Sequence, residues 1–116
     1  MHQIKTSHTG GETITIPECT IKTLNVNASG GTVVASGDLT FTAELEVNSG
    51  TTFNANGNTI AAKEVDVNGS GTLDLRNSTL NFSVTSSGDS ISMGNSATLL
   101  SGNTNINGHG SSTRTG

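Results

Sequence analysis

Apolar and polar residues alternate along most of the chain, in short runs broken by small turn residues. Leu24-Asn25-Val26, Leu45-Glu46-Val47, Val65-Asp66-Val67 and Ile91-Ser92-Met93 share one pattern. Each run leads into a corner of Asn, Ser, Gly and Thr. The clearest copy is Asn48-Ser49-Gly50-Thr51, and Asn95-Ser96-Ala97-Thr98 reads as the same corner with Ala in place of Gly. Asn68-Gly69-Ser70-Gly71-Thr72 and Asn27-Ala28-Ser29-Gly30-Gly31-Thr32 read as longer versions of it. The corner serines stand at 29, 49, 70 and 96, so the steps are 20, 21 and 26 residues. Fixed turn chemistry at a period near twenty marks a coiled repeat. Alternation within each run marks a strand with one buried face.

Each period holds three such strands. The first rung reads Thr13-Ile14-Thr15-Ile16, then Thr20-Ile21-Lys22-Thr23, then Leu24-Asn25-Val26. The second reads Thr32-Val33-Val34-Ala35, Leu39-Thr40-Phe41 and Leu45-Glu46-Val47, and the third Thr52-Phe53, Thr59-Ile60-Ala61-Ala62 and Val65-Asp66-Val67. The fourth reads Thr72-Leu73-Asp74-Leu75 and Leu80-Asn81-Phe82, with extra polar residues from about Val84 to Ser90 before its third side. The fifth starts at Thr98-Leu99-Leu100 and fades after Thr104-Asn105-Ile106. The expected fold is all-β, a short three-sided parallel β-helix (β-solenoid) of about five rungs. Residues 1–11 form an N-terminal arm or cap, 12–107 the coil, and 108–116 a loose C-terminal tail.

Two inner stacks follow from the alternation. One is Leu24, Val26, Leu45, Val47, Val65, Val67, Ile91 and Met93, and the other Leu39, Phe41, Ile60, Ala62, Leu80 and Phe82. The first side is open in register, because Val33-Val34 and Leu99-Leu100 are adjacent apolar pairs. The corner asparagines Asn27, Asn48 and Asn68 admit two readings. Their amides form ladders from rung to rung, or they sit there because Asn tolerates left-handed backbone. An antiparallel sandwich of short strands is the rival fold.

Composition sharpens the picture. Only 30% of residues are hydrophobic and 3% aromatic, too few for wide core layers but enough for a narrow one. That favours a thin, elongated solenoid. A single Pro, Pro17, and the regular alternation argue against disorder. The net charge of −4 comes without a basic stripe, so no nucleic-acid partner is expected. No apolar run is long enough for a membrane helix, and the start of the chain shows no apolar signal core. For a complete chain the expectation is that it is made and kept in the cytosol, or leaves by lysis or as part of a particle.

Candidate chemistry is sparse. Cys19 is alone and reads as a small, partly buried residue. His2, His8 and His109 lie near the two ends, and metal binding would need them to converge. Asp38, Asp66, Asp74 and Asp89 are the candidate acids, but they fall on different sides of different rungs, with no Tyr or Trp to stack a sugar. Thr13/Thr15 and Thr40/Thr42 hint at a water-ordering Thr array that later rungs do not keep. Neither an enzyme nor a cofactor or metal site is expected.

With its Asn-Ser-Gly-Thr corners and Gly-Asn-Thr runs, the stretch 12–106 resembles β-helical segments of tailed-bacteriophage virion proteins, of the capsid decoration (cement), fibre and spike kinds. It resembles passenger domains of bacterial surface adhesins less closely. The first resemblance implies a non-enzymatic capsid decoration protein that stabilises the shell. It would be assembled in the host cytoplasm, located on the capsid surface, trimeric by self-association, and bound to the major capsid protein or another virion component. The second implies a fragment of an adhesin or tailspike that binds carbohydrate. Open coil ends must be covered, and loops leaving a rigid scaffold carry contacts. The expected partner-binding residues are therefore Met1, His2, Ile4 and Lys5 at one end, and Thr85, Ser86, Ser87 and Asp89 in the extra segment.

Overall fold

A computed structural model describes residues 3–6, 12–27, 30–82 and 90–107. Twelve strands run in chain order: β1 (Gln3–Thr6), β2 (Thr13–Ile16), β3 (Cys19–Val26), β4 (Thr32–Ala35), β5 (Leu39–Val47), β6 (Thr52–Asn54), β7 (Thr59–Val67), β8 (Thr72–Asp74), β9 (Thr79–Phe82), β10 (Ser90–Met93), β11 (Thr98–Leu100) and β12 (Asn105–Asn107). No helix occurs among the described residues. Every pairing between these strands is parallel. The chain is a β-solenoid, as the alternation and the period predict.

Three faces can be traced. The first is a five-stranded sheet in the order β2-β4-β6-β8-β11. The second and third are halves of one bent sheet, because β3, β5 and β7 each run through a corner without breaking. The bend lies at the register shift between Phe41 and Glu44, where β5 carries one residue more than β3 or β7. The first halves of β3, β5 and β7, with β9 and β12, form the second face. The third stacks β1, the latter halves of β3, β5 and β7, and β10. Three turns, β2-β3, β4-β5 and β6-β7, are uninterrupted; the fourth contains residues 83–89, and β11-β12 is partial. Five rungs is thus an approximate count.

The longer step of 26 residues appears on all three faces, at Val65↔Ile91, Thr72↔Thr98 and Leu80↔Ile106. It arises between Phe82 and Ser90, where the turn below has only Lys63. Whether that segment projects lies outside the described residues. The body measures 37 × 30 × 26 Å, squat rather than elongated. Strands about 4.8 Å apart give a stack no taller than it is wide.

Both expected inner stacks are in place, with only Phe82 part-exposed. On the first face the open register resolves. Val33, Phe53 and Leu73 form one buried column, Ala35, Ala55 and Leu75 the next, and Val34 faces outward. Phe41 and Phe53 meet edge-on across the coil, centroids 6.4 Å apart at 75°. One such pair spans the core, which is why so few large side chains suffice.

The corners differ from expectation in two respects. Asn48 and Asn68 are not left-handed; Gly50 (φ 78°) and Gly69 (φ 52°) are. The left-handed asparagines are Asn56, Asn77 and Asn103, at the corner between the first and second faces. The amide ladder does form, with Asn68 donating to Asn48 Oδ1 at 3.2 Å, but Asn48 then donates to Asn25 rather than Asn27, at 2.6 Å. A side chain one residue inside the strand stands nearer the column than one already turning away. Second, the fourth corner begins at Gly94, whose N–H donates to Val67 O as those of Asn48 and Asn68 donate one rung below. Asn95 is therefore shifted by one from the asparagine column. Thr51, buried at the corner, donates its hydroxyl to Asn48 O at 2.7 Å and closes the turn.

Candidate functional site

Two outward patches carry chemistry. The first lies on the third face. Alternation that turns Leu45, Val47, Val65 and Val67 inward turns Glu44, Glu46, Glu64 and Asp66 outward, and the register sets Glu44 beside Glu64 and Glu46 beside Asp66. Four carboxylates thus form a square in the middle of the coil. One oxygen each from Glu44, Glu64 and Asp66 lies within 4.8 Å of the others. Glu46 is held apart from this trio: its two oxygens accept from Asn25 Nδ2 at 2.8 Å and Asn68 Nδ2 at 3.2 Å. Partial burial, a hydrogen bond with Asp66 and repulsion from Asp66, Glu46 and Glu64 push the Glu44 carboxyl up to about 7. The square can therefore take up a proton near neutrality. The trio is the group of described residues that could gather a divalent cation.

The second patch is a groove of about 360 Å³ at the corner between the first and second faces, lined by Asn54, Asn56, Gly57, Asp74, Arg76 and Asn77. Its lining includes an ion pair. The Asp74 carboxylate, nearly buried, accepts from Arg76 Nη2 at 2.7 Å, from Nε at 2.9 Å and from the Arg76 backbone N–H at 3.2 Å. These bonds outweigh the opposing effect of burial and hold the Asp74 carboxyl below its ordinary range. The walls are turns. Asn58 N–H donates to Ala55 O, closing a turn around Asn56 and Gly57, both left-handed. Adjacent left-handed residues are the conformation that an Asn-Gly pair adopts most easily. Ser78 N–H closes the matching turn onto Leu75 O, with Asn77 left-handed.

The expected contact residues fare differently. Ile4 and Lys5 belong to β1, which pairs with β3 in register Ile4↔Leu24 and Lys5↔Asn25 and so extends the third face downward by one strand. Met1, His2, Thr85, Ser86, Ser87 and Asp89 lie outside the described residues, as do His8 and His109. Of the candidate acids, Asp66 joins the square, Asp74 is engaged by Arg76, and Asp38 accepts from the Thr59 N–H at 2.9 Å. Cys19 is a free, half-buried thiol packed against the core. On the first face the Thr array is one column, Thr13-Thr32-Thr52-Thr72-Thr98, and the neighbouring column, Thr15-Val34-Asn54-Asp74-Leu100, is mixed; on the second face Thr40 pairs with Thr20 below and Ala61 above. Both the square and the groove escape a residue-by-residue reading. Glu46 and Asp66 already align in the repeat, and extending that alignment by two residues finds Glu44 and Glu64. Comparison with family models, curated proteins and solved structures returned no match.

Proposed function

We propose that the chain is a non-enzymatic structural protein of a virion, a capsid decoration protein that stabilises the shell. The observation that carries this reading is the pair of buried columns running unbroken through β3, β5 and β7. They make a small stiff body whose outside is largely short polar side chains, suited to lying across neighbouring subunits. The acids on it also favour a non-catalytic role: Asp74 is engaged by Arg76, and the square stands on an open strand face rather than in a cleft. Attachment is by the ends. Ile106, the one large apolar side chain exposed among the described residues, stands 47% accessible on the upper edge strand β12. Self-association as a trimer and contact with the major capsid protein would cover such edges. Mass spectrometry of purified virions from the source of the chain tests this: the protein should be present in amounts comparable with the capsid subunit. Its absence from particles that are otherwise complete would overturn the reading. A second reading, a carbohydrate-binding fragment of an adhesin or tailspike, is favoured by the first-corner groove alone.

A further inference from the structure

We propose that the groove at the first corner is a binding site for a neutral carbohydrate. The inference rests on how its polar side chains are tethered. Asn54 Oδ1 accepts from the Asn56 N–H at 2.8 Å, which leaves Asn54 Nδ2 with no hydrogen bond among the described residues. Asn56 Nδ2 donates to Ala35 O at 3.1 Å, which leaves its Oδ1 open. Asn77 Oδ1 accepts from Asn103 Nδ2 at 3.2 Å, which leaves Asn77 Nδ2 open. Arg76 gives Nε and Nη2 to Asp74, and Nη1 remains. Each side chain is tethered at one end by a hydrogen bond and lines the same groove. Such groups lose little rotamer freedom on binding, which is the benefit of preorganisation.

The lining selects the ligand class. Three donors and one acceptor on planar groups match hydroxyls, which donate and accept together. The only guanidinium is neutralised by Asp74, so the groove has no net charge to attract phosphate, sulfate or a carboxylate. It contains no aromatic or apolar side chain, so a ligand would be held through its polar groups and not by stacking. A polyhydroxylated, uncharged molecule satisfies all three conditions, and saccharides are that class. The volume sits at the small end of ligand pockets, fit for a short glycan segment. Gly57 lies open at the rim, where an added Cβ would come only within 3.8 Å of Asn77 O. The inference does not depend on the virion reading, and absence of the chain from particles would leave it standing.

The test is a titration of the 15N-labelled full chain with glucose, galactose, mannose, N-acetylglucosamine, lactose and maltose. Sodium phosphate and glucuronate serve as charged probes. At least one neutral sugar should give saturable shifts centred on the Asn54 and Asn77 side-chain amides and the Gly57 N–H. Combining Asn54→Ala with Asn77→Gly, the latter keeping the left-handed backbone, should weaken that binding roughly tenfold while the rest of the spectrum stays folded. Thr20→Ala, on the exposed second face, should bind as the parent does. The proposal is overturned if no sugar in the panel gives saturable shifts at these positions, if phosphate or glucuronate binds there more tightly, or if the double variant binds unchanged.

Discussion

The middle turns and the upper end of the coil are built from the same kinds of strand, yet they differ sharply. In β5, β6 and β7 the inward side chains Phe41, Leu45, Val47, Phe53, Ile60 and Val65 are 0–1% accessible. In β11 and β12 the inward Leu99 is half-buried and Ile106 is exposed. Alternation is as good at Asn105-Ile106-Asn107 as at Leu45-Glu46-Val47. What changes is that no described strand lies above β11 or β12. In a solenoid a side chain is buried by its neighbours along the stack, so pattern gives direction and position gives burial. The outer surface follows the same division. The third face carries Glu44, Glu46, Glu64 and Asp66 in its middle rungs, and these columns pass to Ser90 and Ser92 in β10.

The harshest way to break this contrast is to place charge in the middle of the stack. Val47→Asp should destabilise severely, because an unpaired buried carboxylate costs several kcal/mol, roughly half or more of a small domain's stability. Glu46→Lys, one residue away and facing outward, should fold, losing about 1–2 kcal/mol with its two amide hydrogen bonds. Circular dichroism melts of the two compare them directly; equal melting temperatures would mean that the register is wrong.

Truncation gives the next largest difference. Phe53→Ala removes a fully buried ring and its edge-on contact with Phe41 and should cost about 3–5 kcal/mol. Ile106→Ala removes a side chain already half in water and should change stability by about 0.5 kcal/mol or less. Urea unfolding of both variants checks the pair. A large loss from Ile106→Ala in isolated protein would show that a partner or another segment already covers the upper edge.

A smaller effect sharpens the outer contrast. Glu44 holds its proton up to about pH 7 in the folded chain, against 4.5 for the ordinary group. The folded state therefore binds more protons than the unfolded one across that window, and stability falls as pH rises from 4.5 towards 7, then levels. Glu44→Gln should flatten this slope. Asp74 acts with opposite sign: its carboxyl is lowered, so its contribution is present above the ordinary carboxylate range and is lost as pH falls through the folded value. Melting temperature followed from pH 3 to pH 8 in the parent, Glu44→Gln and Asp74→Asn separates the two.

Much of the architecture was legible because inner columns obey a simple rule. Leu24, Leu45, Val65 and Ile91 declare themselves by alternation at one period. The first face was less legible, since Val33 and Val34 are equally apolar and only pairing with β6 decides which turns inward. The slip at Gly94 was hidden for a similar reason: Asn95 looks like a corner asparagine, and the hydrogen bond to Val67 O that marks the true corner is made by backbone. The left-handed asparagines were misplaced because Asn48 is followed two residues later by Gly50, which takes the positive φ instead. Asn56-Gly57 carried the right signal. The groove and the acidic square were least legible. Their residues lie about twenty apart in sequence, and they meet only once the register between rungs is known to the residue.

The central claim is that register, with three faces stacked in parallel. Methyl-to-methyl nuclear Overhauser contacts in specifically labelled protein measure it most directly. The coil predicts one unbroken chain of contacts from Leu24 to Leu45, Leu45 to Val65 and Val65 to Ile91, and another from Leu39 to Ile60 to Leu80. Contacts that instead join neighbouring strands as hairpins, with Leu45 methyls meeting residues of β6 in antiparallel pairing and none meeting Leu24 or Val65, would contradict it.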